Sequence, residues 1–496
     1  MTEYIVGKIG DIPSGTAIAV QAGRRTIAVF RVGDDFFAVN NACPHKGASL
    51  CEGEVVIEDR IVRCPWHHWN WQLSDGKLQS DPRQGLRTYD VAVDGDEVIL
   101  RLDGCGARRK EKHMNVVSDP RRQRATRIKP DPIDPRGRTY KVVDTDFHML
   151  PEWSDVRKYL KEPFKSELTS FPLAGADYSP KYAIGLEGTG QETHGRARSA
   201  ADILRVIDEI GVETVIITPG FTRPQSMFHE AMVTATSAAY NDFLINEVLP
   251  ASPRIKAEIM INHRDPAAGA AEIRRVGSKP GFVGVYTEFG GNYEPIGTAR
   301  HDPIFEAAVE HDLVVTSHIG MFWQKATPLS EGTRTWTELV GLSAVSISVA
   351  YVGSMIMQGL FDKFPDLHII VKEGGFWWLP EFMARADDYY LSHPGDIKLT
   401  ERKLELGQKF LAKLPSEYFD SNIRFSSQPM CFPKNPEHFK WLMALCRGED
   451  WLLYSSDWPH ATFDPFNWVF NSMISEEGRK KILSENAAAW IKRLSR

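Results

Sequence analysis

Two closely spaced pairs of cysteine and histidine stand near the start of this 496-residue chain. Cys43-Pro44-His45 is followed, after eighteen residues, by Cys64-Pro65-Trp66-His67. Zinc suits two thiolates and two imidazoles, and a [2Fe–2S] cluster with cysteines on one iron and histidines on the other suits them equally well. The residue types and their spacing therefore predict a metal centre and leave its identity open.

A second set of metal-capable side chains stands where strand-like apolar runs end in the rest of the chain. The set comprises Asp144, Asp146, His148, His263, His318, Glu373, Asp457 and His460. Alternation along a strand puts Asp144, Asp146 and His148 on the same face. Nitrogen and oxygen donors with open positions suit zinc, manganese or iron. We therefore predict a second metal centre, for which His263 is as consistent with packing as with binding.

These side chains can meet only in a fold in which the ends of several strands converge. The second part of the chain has the sequence pattern of such a fold. From Tyr140 onward, apolar runs alternate with helical stretches, at residues 141–148, 214–218, 258–263, 281–286, 313–318, 368–373, 423–428 and 452–457. Eight strands over about 350 residues predict a (β/α)8 TIM barrel with insertions. Because catalytic groups of such barrels lie at the carboxyl ends of the strands, the barrel would bring the second set together.

The N-terminal residues follow a different pattern. Residues 1–103 contain short alternating strands separated by turns, which predicts an all-β module. Residues 106–138 hold eleven Lys or Arg, four Asp or Glu and four Pro with hardly any apolar periodicity, which is typical of a linker. We expect a multidomain chain with an all-β domain over 1–104, a basic linker over 105–139 and an α/β barrel over 140–496.

The two Cys/His pairs belong to longer stretches of recognisable form. These are Cys43-Pro44-His45-Lys46-Gly47-Ala48-Ser49-Leu50, Cys64-Pro65-Trp66-His67-His68-Trp69, Leu73-Ser74-Asp75-Gly76 and Leu86-Arg87-Thr88-Tyr89-Asp90-Val91-Ala92-Val93. Over essentially all of residues 1–103 they resemble the Rieske family. The resemblance implies a [2Fe–2S] cluster in which Cys43 and Cys64 bind one iron and His45 and His67 bind the other. Such a centre accepts one electron and passes it on.

Two departures from the Rieske pattern bear on the type of module. His68 stands where the family usually has a glycine, and the extra cysteine pair that forms a disulfide in quinol-oxidising members is absent. Cys51 follows the first pair, but the second stretch has no cysteine to join it. The module therefore resembles the soluble ferredoxin and oxygenase type.

The strand ends of the barrel also belong to longer motifs. They are Val143-Asp144-Thr145-Asp146-Phe147-His148, Ser317-His318-Ile319-Gly320, Phe364-Pro365-Asp366-Leu367, Glu373-Gly374-Gly375-Phe376-Trp377-Trp378-Leu379-Pro380 and Ser456-Asp457-Trp458-Pro459-His460. Across residues 140–490 they resemble the amidohydrolase-related family, which includes decarboxylases. The resemblance implies that Asp146, His148, His318 and Asp457 bind metal.

The barrel departs from the better-known hydrolase pattern at two strands. Strand four has no lysine to become a carbamylated bridge, and strand six offers Glu373 where many hydrolases have histidine. A carboxylate can bridge a second metal, so we expect Glu373 among the ligands of one or two divalent metals. An oxygen-rich site favours iron, with manganese and zinc as alternatives. Some members with this carboxylate-rich pattern resemble oxygen-activating hydroxylases fed by Rieske partners.

Composition excludes several classes of function. Lys and Arg number 59 against 65 Asp and Glu, and a net charge of −6 gives no electrostatic case for nucleic acid or an anionic membrane. The first residues lack the layout of a signal peptide. The 6 cysteines are too few for a disulfide scaffold, so we expect a cytoplasmic protein. The uncharged stretch 339–361 contains serines and glycines and predicts a buried helix rather than a membrane span.

The two predicted centres together favour an oxygenase. Hydrolysis and decarboxylation need a Lewis acid but no electrons, so a one-electron carrier beside a metal site indicates an oxidoreductase, such as a monooxygenase, that activates O2. The alternative is a metal-dependent hydrolase or non-oxidative decarboxylase with an accessory Rieske domain. Catalytic roles fall to Asp457, His460 and Glu373, with Asp457 or His460 as the base in the alternative. A third hypothesis is an electron carrier whose barrel only scaffolds an interface.

The oxygenase hypothesis also predicts partners. It requires O2, a small organic substrate, and an NAD(P)H-dependent reductase or a ferredoxin as electron donor, and we expect a homo-oligomer. Aromatic residues near the strand ends could line an apolar substrate pocket or pack loops and helices. They are Phe322, Trp323, Trp377, Trp378 and Trp458.

Overall fold

The chain folds into two compact units, residues 1–129 and 130–496. The computed structural model describes residues 2–22, 25–44, 47–66, 68–102, 140–168, 197–219, 229–289, 294–319, 337–433, 435–460, 463–466 and 474–495. The predicted boundaries at 104 and 139 lie outside these residues, so the limits of the linker stay a prediction.

The described part of the first unit is built from antiparallel strands. They are β1 (Thr2–Lys8), β2 (Thr16–Ala22), β3 (Arg25–Val32), β4 (Asp35–Asn40), β5 (Glu54–Val56), β6 (Ile61–Arg63), β7 (Asn70–Gln72), β8 (Lys77–Leu78), β9 (Asp81–Gly85), β10 (Thr88–Asp94) and β11 (Glu97–Leu102). One sheet has the order β1-β11-β10-β4-β3-β2, and the other runs from β5 to β9 in sequence order. Short 3₁₀ turns occupy Ile9–Asp11 and Leu50–Glu52. The all-β prediction is confirmed.

Strand β3 shows why these residues form a sheet. Ile27 and Val29 join one apolar cluster, whereas Ala28, Phe30 and Val32 join another. Because successive side chains of a strand point to opposite faces, β3 contributes to both clusters at once. The second of these clusters also contains Cys43 and Cys64, so the core of the unit supports the predicted cluster-binding loops.

The second unit contains a sheet of eight parallel strands whose order follows the sequence. They are β12 (Val143–Met149), β13 (Thr214–Pro219), β14 (Ile255–Met260), β15 (Phe282–Phe289), β16 (Val314–Ile319), β17 (Ile369–Val371), β18 (Ile423–Ser426) and β19 (Leu452–Leu453). The first and last strands meet where the His148 amide donates to the Trp458 carbonyl at 2.8 Å. Each strand overlaps one predicted apolar run, so the (β/α)8 prediction is confirmed.

Helices lie in the connections between the strands and after the last strand. Those described are α1 (Trp153–Arg157), α2 (Phe164–Glu167), α3 (Ala200–Ile210), α4 (Glu230–Phe243), α5 (Pro266–Val276), α6 (Asp302–Glu310), α7 (Ser343–Met357), α8 (Leu360–Lys363), α9 (Leu379–Ser392), α10 (Glu401–Glu405), α11 (Tyr418–Ser421), α12 (Pro436–Leu445), α13 (Gly448–Trp451), α14 (Glu476–Lys480) and α15 (Asn486–Trp490). Turns of π-helix occupy Leu244–Val248, Thr337–Leu342 and Lys481–Glu485, and 3₁₀ turns occupy Leu249–Ala251, Ala299–His301, Asp396–Leu399 and Pro415–Glu417.

The uncharged stretch 339–361 lies against the barrel core. It forms part of a π-helical turn, helix α7 and the start of α8, with Ile347, Val352 and Met355 buried in the main apolar cluster. Within the described ranges, no helix combines the length and the apolar character that a bilayer crossing requires. This agrees with the prediction of a buried helix.

The interior of the barrel changes character along its axis. Near the strand starts, side chains from six strands form an apolar cluster that Trp490 joins; these are Val143, Ile216, Val283, Val314, Ile370 and Leu453. Toward the strand ends, the buried side chains are polar or charged: Asp146, Thr218, Glu258, Glu288, His318 and Lys372. An apolar base thus supports a polar layer at the end of the barrel where catalytic groups lie.

Candidate functional site

The ends of strands β12 and β16 bring three predicted metal ligands together. One donor atom from each of Asp146, His148 and His318 lies within 4.8 Å of the other two. His318 Nε2 is 3.6 Å from Asp146 Oδ2, and His148 Nε2 is 3.6 Å from Asp146 Oδ1. All three side chains are buried. Asp146 and His148 share a face because they are two residues apart on one strand, as predicted.

A second group of donors shares His148 with the first. One donor atom from each of His148, Asp457 and His460 again lies within 4.8 Å of the others. Asp457 Oδ1 is 3.3 Å from His148 Nε2 and 2.5 Å from His460 Nδ1. Glu373 Oε2 lies 3.6 Å from His318 Nε2. The structure therefore brings together every barrel residue predicted to bind metal, with His460 beside them.

Several donor atoms of this site are buried and have no hydrogen-bond partner. Among the described residues, these include Asp146 Oδ2, His148 Nε2 and His318 Nε2. His318 Nδ1 lies 2.6 Å from the carbonyl of Ile319, so the proton belongs on Nδ1 and the lone pair on Nε2. Because buried polar atoms are rarely left unpaired, and because nitrogen and carboxylate donors converge here, the residues fit a divalent metal.

The pKa values of the site express the same excess of negative charge. Burial raises the pKa of Asp146, but Lys372, His318 and His148 offset this and hold it well below its ordinary value. Burial lowers the pKa of His318, yet the carboxylates of Glu373 and Asp146 raise it to about 10. Burial, together with neighbouring Asp457, raises the pKa of Glu373 well above its usual range. These shifts show that the buried carboxylates need positive charge beside them, which a divalent cation can supply.

Two candidate ligands have unusual backbone conformations. Glu373 has a φ of 54° and Asp457 a φ of 57°, in the left-handed region that non-glycine residues seldom adopt. Gly374 follows Glu373, and a Cβ there would overlap the side chain of Ser348 on helix α7. Close packing of α7 against this turn therefore fixes Glu373. Such strained conformations persist where the surrounding structure determines them, often at functional sites.

A buried lysine supports the site from the barrel interior, and the sequence analysis did not select it. Lys372 Nζ lies 2.6 Å from Glu258 Oε1 and 3.6 Å from Asp146 Oδ1. Burial lowers the pKa of Lys372, but Glu258 and Asp146 more than compensate and raise it. Both Lys372 and Glu258 interrupt apolar strand runs, and that pattern could have indicated inward-facing charge.

Strands β14 and β15 end differently from the prediction. The third strand ends at Met260, so His263 lies three residues beyond it, fully buried and outside both donor groups. Strand four carries Glu288 in register with His318. The hydroxyl of Tyr286 donates to Glu288 Oε1 at 3.1 Å, and burial raises the pKa of Glu288 to about 8. Glu288 is a buried carboxyl group beside the candidate metal ligands, and sequence reasoning missed it.

The predicted aromatic residues mostly pack the barrel where the structure describes them. Trp458 stacks on Phe147 with ring centroids 4.8 Å apart. Trp377 donates to the carbonyl of Cys431, and Trp378 donates to the carbonyl of Gly374. Phe322 and Trp323 lie outside the described residues. The described aromatics therefore support packing rather than a substrate pocket.

The two candidate cluster ligands that the structure describes in the first unit lie in loops. Cys43 and Cys64 are buried and form no disulfide. Amides of Gly47 and His68 donate to the carbonyls of Cys43 and Cys64, which wraps each loop around its cysteine. His45 and His67 lie outside the described residues, so their roles stay a prediction.

His68 shows why a glycine is usual at its position. Its φ is 55°, a conformation that glycine adopts without strain and histidine tolerates. The backbone of the second loop thus keeps the expected turn despite the substitution. Two buried thiols on such loops fit a [2Fe–2S] cluster held partly by cysteine.

Comparison with curated proteins supports both halves of the chain. Residues of the barrel are 27% identical over 301 residues to the gamma-resorcylate decarboxylase of Polaromonas sp. strain JS666, covering 57% of this chain and 84% of that protein. The N-terminal part is 36% identical over 95 residues to the 3-phenylpropionate/cinnamic acid dioxygenase ferredoxin subunit of Escherichia coli K12, covering 19% of this chain and 88% of that protein. The barrel's likeness to a decarboxylase supports the decarboxylase alternative better than the oxygenase hypothesis.

Solved structures and family profiles agree with this division. A dihydroxybenzoic acid decarboxylase from Polaromonas sp. JS666, solved with bound manganese and the inhibitor 2-nitroresorcinol, is similar in fold with a TM-score of 0.51, 19% identity and coverage of 71% of this chain and 97% of that one. The Rieske [2Fe-2S] domain profile matches residues 2–90, and the amidohydrolase profile matches residues 143–493. With its strand-end donors on eight parallel strands, the chain belongs to the amidohydrolase family and carries a Rieske domain ahead of the barrel.

Proposed function

We propose that this protein is a metal-dependent, non-oxidative decarboxylase of hydroxylated aromatic acids, to which the Rieske domain is an accessory. The observation that carries the proposal is the buried convergence of Asp146, His148, His318 and Asp457 at the strand ends. The relative at 27% identity is named for the decarboxylation of gamma-resorcylate, a hydroxylated aromatic acid. That reaction needs a Lewis acid and a proton but no electrons.

The residues of the site would bind the metal and exclude water from it. Asp146, His148, His318 and Asp457 would hold manganese or iron, with Glu373 available to an additional metal. A bound divalent metal supplies Lewis-acid polarisation of the carboxylate and of a neighbouring oxygen of the substrate. Burial of the donors excludes water, which strengthens each electrostatic interaction.

Decarboxylation also needs a proton for the ring carbon. The bond between the ring and the carboxylate breaks, CO2 leaves, and the electron pair remains on the ring carbon until a proton arrives there. His460 Nδ1 and Asp457 Oδ1 are 2.5 Å apart, so this pair can hold and deliver that proton. We assign proton transfer to this pair, which is where the sequence analysis also placed the base.

The proposal is tested by carbon dioxide release without oxygen or reductant. The full-length protein, loaded with Mn²⁺ under argon, is given 2,6-dihydroxybenzoate and related hydroxybenzoates, and CO2 is measured. We expect turnover, and we expect the Cys64→Ser variant, which lacks the cluster, to keep it within about twofold. His460→Gln should lower kcat by about 100-fold, as expected for loss of a general acid. Absence of anaerobic CO2 release from the whole panel would overturn the proposal.

One observation favours a second candidate, the O2-dependent oxygenase. A one-electron domain similar to a dioxygenase ferredoxin subunit shares the chain with a site to which Glu373 adds a further carboxylate. This candidate requires O2 and an electron-donating reductase or ferredoxin. Oxygen uptake that depends on reductant, and that the Cys64→Ser substitution abolishes, would select it in place of decarboxylation.

A further inference from the structure

A buried chain of hydrogen bonds leads from Lys372 to the carboxylate of Asp146. Lys372 Nζ donates to Thr218 Oγ1 at 2.7 Å, and Thr218 Oγ1 donates to Asp146 Oδ1 at 2.6 Å. None of these three side chains is exposed to solvent. This chain of hydrogen bonds therefore joins the ends of strands β12, β13 and β17 inside the barrel.

The chemistry of lysine fixes the direction of this chain. An ammonium group can only donate, so the oxygen of Thr218 must accept from Lys372 and turn its own hydrogen toward Asp146. Oδ1 of Asp146 thereby accepts a hydrogen bond, and it also lies 3.6 Å from His148 Nε2. Oδ2 has no hydrogen-bond partner among the described residues and lies 3.6 Å from His318 Nε2. Both oxygens of the carboxylate therefore lie near a candidate histidine ligand, but among the described residues only Oδ1 accepts a hydrogen bond.

Glu258 provides the charge that makes a buried lysine tolerable here. Lys372 Nζ also donates to Glu258 Oε1 at 2.6 Å, and Glu258 is itself buried. Strand β15 has Gly284 alongside, where a Cβ would come within 3.5 Å of the Glu258 Cγ and 3.0 Å of Val314. A side chain there would crowd Val314, whereas its contact with Glu258 would be of ordinary van der Waals length. Because the pair of Lys372 and Glu258 is neutral as a unit, it orients Asp146 without adding net charge beneath the site.

We propose that Lys372 and Thr218 are positioning residues that favour Oδ2 over Oδ1 as the oxygen with which Asp146 would bind the metal. This inference rests on the metal site of the proposed function but not on the reaction catalysed there. Removal of a residue that hydrogen-bonds to a metal ligand commonly weakens metal binding by roughly 10- to 100-fold. The effect should therefore be visible in binding of the metal itself, before any substrate is added.

The test compares two substitutions of Thr218 in the full-length protein freed of barrel metal. Thr218→Val keeps the shape and removes the hydroxyl, whereas Thr218→Ser keeps the hydroxyl as the matched control. Mn²⁺ is titrated and its free concentration is followed by EPR. We expect about tenfold weaker binding in Thr218→Val, near wild-type binding in Thr218→Ser, and a changed EPR spectrum of bound Mn²⁺ in the valine variant alone. Equal affinity and equal spectra in wild type and Thr218→Val would overturn the proposal.

A paired substitution tests the role of the lysine without leaving a lone buried charge. Lys372→Met combined with Glu258→Gln removes both charges, and folding is checked by circular dichroism. We expect weaker Mn²⁺ binding, with little further loss when Thr218→Val is added, because all three changes break the same chain. Wild-type Mn²⁺ affinity in the folded paired variant would count against the lysine.

One more variant separates this inference from the proposed function. Asp146→Asn should abolish tight Mn²⁺ binding if Asp146 is a ligand at all. If Asp146→Asn weakens binding and Thr218→Val does not, the positioning role fails while the metal site stands. If Asp146→Asn binds Mn²⁺ like wild type, the metal site itself fails.

Discussion

The two metal-binding regions of this chain place their ligands by different means. In the first unit, Cys43 and Cys64 lie on loops whose own backbone hydrogen bonds wrap around them. In the barrel, Asp146, His318 and Asp457 come from distant parts of the sequence and meet only because the strands run parallel around one axis. The first arrangement is local, and the second depends on closure of the whole sheet.

Burial differs between the regions in the same way. Every residue of β14 and β15 is buried, whereas β10 alternates between exposed and partly buried positions. A barrel strand is covered by helices on one side and by other strands on the other, so charges within it must be paired. The loss of an ionic contact in the barrel should therefore lower the free energy of unfolding. The loss of a similar contact in the first unit should change it little.

The largest expected effect tests whether the two centres are independent. Asp146→Asn should reduce bound Mn²⁺ below about a tenth of wild type and decarboxylation by at least about 100-fold, because a required ligand is lost. Cys43→Ser should remove the cluster signal in EPR of the dithionite-reduced protein. Metal analysis and EPR of both variants check this. If either substitution empties both centres, the two centres are not independent.

A smaller effect concerns two ion pairs of nearly equal length. Lys372 and Glu258 are 2.6 Å apart with no side-chain exposure above 2%, whereas Arg63 and Glu54 are 2.8 Å apart with 37% and 64% exposure. Glu258→Gln should lower the free energy of unfolding by about 3 kcal/mol, because the buried Lys372 then has only the more distant Asp146, 3.6 Å away, to balance its charge. Glu54→Gln should change it by about 0.5 kcal/mol or less. Urea unfolding measures both, and similar losses would contradict the burial argument.

The smallest effect is a pH dependence that we assign to the barrel. Burial lowers the pKa of His263 from 6.5 to about 3. Between these values the unfolded chain binds the extra proton and the folded protein does not, so stability rises with pH and is lost as pH falls. The slope from this one group is about 1.4 kcal/mol per pH unit at most. Urea unfolding between about pH 4 and 6, within the range where the slope acts, should show a smaller slope for His263→Gln.

The exposed His438→Gln variant is the matched control for that measurement. Replacement of a surface histidine removes a side chain of the same type without opening the barrel interior. If His263→Gln keeps the wild-type slope, the pH dependence originates elsewhere in the chain.

Periodicity predicted most of the fold because parallel barrel strands are continuous apolar runs. All eight runs overlap strands, and the connecting helix α3 spans Ala200–Ile210. Its ends are fixed locally, since the Ser199 side chain accepts from the Asp202 amide and Gly211 has a φ of 74°. The third strand lies at Ile255–Met260 rather than 258–263, because Lys256 and Glu258 interrupt the apolar run and obscure where the strand begins.

The candidate site was predicted less completely than the fold. Ligands at strand ends could be named because strand ends converge in any barrel of this kind. Lys372, Glu258 and Glu288 were not selected, because charged residues are usually exposed and their pairing partners lie on other strands. His263, in turn, follows a strand in sequence but lies apart from both donor groups.

The sequence by itself determined the two kinds of metal-capable motif, the β character of the first unit and the strand order of the barrel. These follow from residue type and from spacing over a few positions, which fix geometry within one element. Only the tertiary structure decided that Thr218, which accepts from Lys372, donates to one oxygen of Asp146. It also decided that Asp457 contacts both His148 and His460. Contacts across strands depend on register and barrel closure, and neither is encoded in the spacing of any single segment.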